Sequence, residues 1–248
     1  SNTHIATHDQ GGVPIAFRVQ DQALHLFKES KAISAIHNKY NREFIPDTAA
    51  TYPIKTASLE TPAFNTNSRV FDHFNIGYRW EEEFTPLTAP YRYKTDLKWA
   101  YQTDPNDTQA AKRVQLYFLQ TAWMIRNHAL VHNKSRNVKL VYFTPTVMED
   151  PLKAFFASTW KEVFGQVMEG FALDIEQVDE AVAPYYALVT GHYGTDIGER
   201  ENIINIDIGG GTTDIFYFQC STANPTGYIA SCMFAGDDIW GNGVRTLG

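Results

Sequence analysis

Late in the chain two apolar runs, Ile203 to Ile208 and Ile215 to Phe218, flank the segment Gly209-Gly210-Gly211-Thr212-Thr213-Asp214, with Asp207 just before it. Runs rich in β-branched and aromatic residues read as strands, and so short a glycine-bearing link between them predicts a hairpin. Three glycines leave the backbone free to take positive φ and keep its N–H groups uncovered. Successive uncovered N–H groups make a concave anion site suited to phosphate. Thr212 or Thr213 can donate to a phosphate oxygen. Asp207 and Asp214 can hold a hydrated Mg²⁺, which keeps several waters and prefers carboxylate oxygens. The plain alternative is a glycine-rich hairpin that binds nothing.

Composition limits what such a hairpin can serve. The chain has 248 residues, of which 44% are hydrophobic and 14% aromatic, enough for a proper core. Charged residues make up 20%, too few for an intrinsically disordered chain. The net charge of −7 lacks the broad basic footprint of a nucleic-acid binder. No apolar run approaches the roughly 20 residues that span a bilayer. The start has no basic and apolar signal-peptide regions, and Ser1-Asn2 resembles a scar left by tag removal. Cys220 and Cys232 are too few for a disulfide framework and read as two free, buried thiols, which fits a cytoplasmic location. His4 and His8 lie four apart near the chain start and read as solvated histidines.

The rest of the chain alternates strand and helix signals. Val13 to Val19 and Leu24 to Phe27 read as short strands. The stretch 60–104 is rich in aromatics, from Phe71 and Phe74 to Trp99 and Tyr101, and is broken by Pro86 and Pro90. It reads as an irregular subdomain with its own small core. Val114, Phe118, Ala122, Ile125 and Ala129 recur at helical spacing within Asp107 to Leu130, with Asp104 and Pro105 as a start. A strand follows at Val138 to Phe143. Asp150 and Pro151 then offer an N-cap and a first helical position. Leu152, Phe155, Phe156, Thr159, Val163, Phe164 and Val167 form one stripe of that helix, which Gly170 ends. A short strand at Leu173 to Ile175 and a helix from Asp179 to His192 come next. The polar loop Gly194 to Asn202 marks the best boundary, and a strand triplet ending with Tyr228 to Phe234 restarts beyond it.

At this point four segments carry a resemblance. Asp207-Ile208-Gly209-Gly210-Gly211-Thr212-Thr213-Asp214 resembles the second phosphate loop of the superfamily of actin, DnaK-type heat-shock chaperones and sugar kinases. Val138 to Phe156 resembles the chaperone strand, proline loop and helix, and Gln177 to Leu188 its connecting helix, with Glu180 at the acidic position. Phe234 to Val244 resembles the segment after the second lobe's third strand. The four occur in the family's order and lie closest to the DnaK-type branch.

The resemblance implies an α/β fold of the ribonuclease-H-like, actin-type ATPase kind. Residues 1–195 would form lobe one, and 196–248 would begin lobe two. It implies ATP or ADP as ligand, Mg²⁺ as cofactor and protein partners. Gly209, Gly210, Gly211, Thr212 and Thr213 would bind phosphate. Asp207 would orient the attacking water or the metal shell, Glu180 would hold a metal-bound water, and Asp214 would support the shell. Hydrolysis would be slow and coupled to lobe closure. The family's first phosphate loop, Asp-x-Gly-Thr, has Asp9, Gly11 and Gly12 as its counterpart here, but Val13-Pro14 stands where the hydroxyl belongs. Lys94 and Lys98 match the family's catalytic lysine by position only. The family's adenosine-binding part would lie beyond Gly248, so the chain is expected to be a fragment that binds ATP weakly by itself. Two alternatives share the fold: a catalytically degenerate assembly or interaction module, and a small-molecule kinase.

Overall fold

The computed structural model describes residues 5–7, 15–16, 55–70, 72–79, 92–94, 97–98, 107–131, 135–183, 185, 202–209, 211–219 and 226–236. It is a mixed α/β structure. In chain order come β1 (Ala6–Thr7), β2 (Ile15–Ala16), β3 (Lys55–Glu60), β4 (Phe74–Arg79), β5 (Arg92–Lys94), α1 (Ala110–Val131), β6 (Asn137–Thr144), α2 (Asp150–Val167) and β7 (Ala172–Asp179). A 3₁₀ turn (Glu180–Val182) then precedes β8 (Ile203–Ile208), β9 (Thr213–Gln219) and β10 (Thr226–Cys232). The chain divides into two compact units, Ser1–Val138 with Thr159–Ala172, and Lys139–Ser158 with Leu173–Gly248.

In the first unit, β3 is the centre of an antiparallel sheet of order β4-β3-β5. These strands supply the described part of the aromatic-rich stretch; Phe71, Trp80, Phe84, Trp99 and Tyr101 lie outside the described residues. Helix α1 packs its apolar positions on this sheet, where Leu116 and Met124 share a core with Phe64, Phe74 and Ile76. Gln120 sits in that core because its side-chain Oε1 accepts from the Ile76 N–H at 3.0 Å. Of the expected helical stripe, Val114, Phe118, Ala122 and Ala129 are buried and Ile125 is partly buried. Asp107 opens the helix: its Oδ1 accepts from Gln109 N–H and its carbonyl from Ala110 N–H. Asp104 and Pro105 lie outside the described residues.

One buried cation ties this unit together. Arg113 is 5% exposed and Glu60 2%. The guanidinium forks onto the Glu60 carboxylate and also reaches Asp107. Ser58 Oγ donates to Glu60 from the same strand at 2.8 Å, and the guanidinium lies 5.3 Å from the centre of the Phe64 ring. Burial alone would lower the Arg113 pKa, but the bonds and charges of Glu60 and Asp107 outweigh it and raise the pKa above its ordinary value.

Helix α2 departs from expectation at its start. Asp150 is its first helical residue, and the Glu149 carbonyl accepts from both Leu152 and Lys153 N–H, so Glu149 takes the cap position. Its stripe is buried at Leu152, Phe156, Thr159, Val163, Phe164 and Val167, with Phe155 partly buried. Trp160, outside that stripe, is buried too and stacks on Phe118 with ring centres 3.9 Å apart. At the far end Arg126 donates to the carbonyls of Val167 and Glu169, which the last turn would leave unpaired. Gly170 follows at φ +84°, the left-handed conformation that a helix end takes through glycine.

In the second unit, β7 runs to Asp179 and pairs with β6, longer than the expected strand at Leu173 to Ile175. The expected helix from Asp179 begins as a 3₁₀ turn, because Asp179 Oδ1 caps the Ala181 N–H and also accepts from Thr146 Oγ1 at 2.6 Å. Residues 186–192 lie outside the described residues. Strands β8, β9 and β10 form an antiparallel sheet with β9 in the middle. Side chains alternate between its faces. One face carries Phe216 and Phe218, against which Tyr185 packs with ring centres 5.1 and 4.6 Å away. The other face carries Ile204, Ile206, Ile208, Ile215 and Tyr228, all exposed. Cys232 falls on this outer face and is exposed, which corrects the expectation of a buried thiol; Cys220 lies outside the described residues. Among the described residues no helix is long and apolar enough to cross a membrane.

Replacing Arg113 by Met is expected to destabilise the fold by about 3–5 kcal/mol, because the Glu60 charge is left buried without its partner. Urea unfolding followed by circular dichroism measures this. A loss below 1 kcal/mol would show that Glu60 finds solvent or another cation.

Candidate functional site

The glycine segment is the turn of the β8–β9 hairpin, as its chemistry predicts. Pairing runs from Ile203 opposite Phe218 to Ile208 opposite Thr213, and it sets Asp207 directly opposite Asp214. Gly209 N–H donates to the Thr212 carbonyl at 2.9 Å and closes the turn. Gly209 and Gly211 are exposed; Gly210 lies outside the described residues. Among the described residues the glycine with positive φ is Gly170, so the requirement at Gly209 is different. A Cβ there would lie 3.2 Å from the Thr212 carbonyl oxygen, tighter than ordinary contact. Glycine at 209 therefore serves close backbone approach.

The carboxylates at the two strand ends have unlike surroundings. Asp207 is exposed. Asp214 is 2% exposed, and its Oδ2 accepts from Thr212 Oγ1 at 3.0 Å, while its buried Oδ1 has no hydrogen-bond partner. Thr212 itself is buried, and Thr213 Oγ1 donates to the Phe234 carbonyl at 2.6 Å. Both hydroxyls expected at phosphate are thus engaged within the chain, Thr212 in the interior and Thr213 on the outer face. The Gly209 carbonyl accepts from Gly236 N–H at 3.0 Å, so the segment after β10 is pinned to the turn.

Glu180 opens the 3₁₀ turn, which packs against β9 and β10. The element bearing Glu180 and the sheet bearing Asp207 and Asp214 are therefore neighbours. Beside that turn an open cavity of about 510 Å³ is lined by residues including Phe143, Gln177, Asp179 and Val182. Lys94 is exposed at the end of β5 and Lys98 is partly buried, both in the first unit. His4, His8, Asp9, Gly11, Gly12, Val13 and Pro14 lie outside the described residues.

Among the described residues no group of three or more His, Cys, Asp or Glu side chains could ligate a metal directly. The arrangement suits Mg²⁺ in another way. That ion keeps most of its water and takes one or two carboxylates. Asp207 is exposed at a strand end where it can meet such an ion, with the enclosed Asp214 carboxylate directly across the ladder from it. The donor set fits a hydrated cation held through water. It does not make a closed cage.

No protein-family model matches the chain, and no curated protein matches it. Among solved structures, MreB5 of Spiroplasma citri bound to ADP is similar at 17% identity with a TM-score of 0.44, over 73% of this chain and 45% of that one. The chain thus spans less than half the length of that protein. A likeness this distant carries no weight for fold or function, and the functional reading rests on the hairpin.

Thr212→Val keeps the shape of the side chain but removes the donor to Asp214. It is expected to cost about 1–3 kcal/mol, since a buried carboxylate oxygen loses its partner. Thr212→Ser should retain most of the wild-type stability. Thermal melts of the three proteins compare them, and equal stability of Val and Thr would exclude the hydrogen bond. Gly209→Ala is expected to cost about 1–3 kcal/mol by overpacking against the Thr212 carbonyl, read from the same melts.

Proposed function

We propose that the chain carries a phosphate-binding part of an ATP-binding domain of the actin-like, ribonuclease-H-like type, with 1–195 in lobe one and 196–248 beginning lobe two. Its motifs lie nearest the DnaK-type branch. The observation that carries the reading is the β8–β9 register, which puts Asp207 and Asp214 opposite each other at the mouth of a closed glycine turn. In this reading the backbone of Gly209, Gly210 and Gly211 binds the β- and γ-phosphates of ATP. Asp207 orients the attacking water at the exposed strand end. Asp214 holds Thr212 and with it the turn. Glu180, on the neighbouring 3₁₀ turn, orients a water of the metal shell. Mg²⁺, when bound, would be held through water by Asp207 and Asp214 and would neutralise charge on the phosphates. Phosphoryl transfer needs little beyond such positioning and neutralisation. Slow hydrolysis would then drive lobe closure and partner exchange in a cytoplasmic protein.

A second reading is supported by the hydrogen bonds that already engage the Thr212 and Thr213 hydroxyls. In it the fold is kept as an assembly module without turnover. Asp207→Asn in the full-length protein separates the two readings. It is nearly isosteric and removes one negative charge at an exposed position. The ATPase reading expects turnover to fall to background with an unchanged melting temperature. Background rates in both wild type and variant, with partner binding intact, would leave the module.

A further inference from the structure

The two compact units differ in charge. The second, Lys139–Ser158 with Leu173–Gly248, holds thirteen acidic residues against four basic ones, while the first is close to balanced. The field around the second unit therefore attracts cations. Part of that acid lies along β7. Lys139 of β6 pairs with Glu176 and stands 4.0 Å from Asp174, so the three share one face of the β6–β7 pair. Side chains alternate along a strand, so Val141 and Phe143 follow Lys139 on that face and Val178 follows Glu176. Val141 is 40% exposed and Phe143 47%. With Val178 and Val182 they form the apolar floor of the open cavity of about 510 Å³, which Glu176 and Asp179 also line. All of these residues belong to the second unit.

The cavity has the size of an ordinary ligand site, but it is open and its approach is charged. An apolar floor exposed beside carboxylates suits a ligand that is both apolar and cationic. The spacing along β7 sets its form. Asp174 and Glu176 are two residues apart on one face, roughly 6–7 Å, and Val178 lies as far again. An extended peptide has the same repeat. Lys or Arg at alternate positions then meets the two acids, and an apolar side chain two residues further on meets Val141 and Phe143. Lys139 is a small obstacle, because its ion pair with Glu176 is solvent-exposed and pairs of that kind hold weakly. We propose that this face of the β6–β7 pair is a docking site for an extended basic and apolar segment of a protein partner, anchored by one apolar side chain in the cavity and registered by Asp174 and Glu176. The site uses neither the glycine turn nor a nucleotide, so it stands or falls apart from the ATPase reading.

Fluorescence anisotropy with the full chain tests the site, the probe being the fluorescein-labelled peptide Gly-Lys-Ser-Lys-Ser-Leu-Gly. Saturable binding is expected. Replacing the peptide's leucine by serine should weaken it about tenfold or more, the value of one buried Leu side chain. Replacing both its lysines by glutamate should abolish it. In the protein, Phe143→Ala and, as a second floor variant, Val141→Ala should weaken binding with a melting temperature close to that of wild type, since both side chains are exposed in the free chain. Glu176→Lys should weaken it about fivefold or more. Glu162→Lys makes the same charge change at an exposed position of the first unit and should leave binding within about twofold, as screening of a distant exposed charge requires. Equal losses in Glu176→Lys and Glu162→Lys would reveal attraction to net charge alone and overturn the proposal. So would the lack of saturable binding by wild type, binding that survives the change of lysine to glutamate in the peptide, or binding unmoved by both floor variants. Sedimentation showing a dimer that Phe143→Ala dissolves would give the face to a second copy of the chain and overturn it as well.

Discussion

What the glycine turn can do depends on the alignment of β9 between its two neighbours. Side chains alternate along a strand, so a slip by one residue would turn Asp214 to the outer face and bring Ile215 inward. Two constraints prevent the slip. The Gly209 N–H bond to the Thr212 carbonyl fixes the length of the turn on the β8 side. Phe216 and Phe218, packed under Tyr185, fix which face of β9 points inward. The close backbone approach at Gly209 and the aromatic packing thus together decide where a carboxylate is buried.

That burial divides the labour between two aspartates that look alike in sequence. Asp207 ends its strand in solvent, where a carboxylate keeps its charge cheaply and can meet a hydrated ion. Asp214 is enclosed and bonded to the threonine two residues before it, so it acts on the turn's own geometry. Engaging the hydroxyls of Thr212 and Thr213 within the chain stiffens the hairpin and the segment after β10 at once, since Thr213 reaches Phe234 and Gly209 receives Gly236. The chemistry left at the surface is that of backbone and one acid.

Much of this was legible in the chain, for identifiable reasons. The hairpin was legible because glycine turns and β-branched flanks are local signals. Helix α1 was legible from apolar spacing, and the end of α2 from Gly170. The engagement of the threonine hydroxyls was not, because the burial of Asp214 follows from the register and Phe234 comes from the segment after β10. The cap of α2 falls one residue before Asp150, because the Glu149 carbonyl accepts the first helical N–H bonds. Cys232 was expected inside on composition alone, whereas strand parity puts it outside. Glu60 and Arg113 are 53 residues apart, beyond any local pattern.

The Arg113 cluster has a consequence for descent. Each of its members is tolerable in the interior only while the others remain, so single replacements pass through a state with an orphaned charge. Replacing the whole set by apolar side chains of similar volume can be neutral, yet no single-residue step leads there. Glu60, Asp107 and Arg113 should therefore be inherited as a block, unchanged together or exchanged together. In distant relatives too dissimilar to align elsewhere, the joint presence or joint loss of these three positions would mark lineage more faithfully than overall identity.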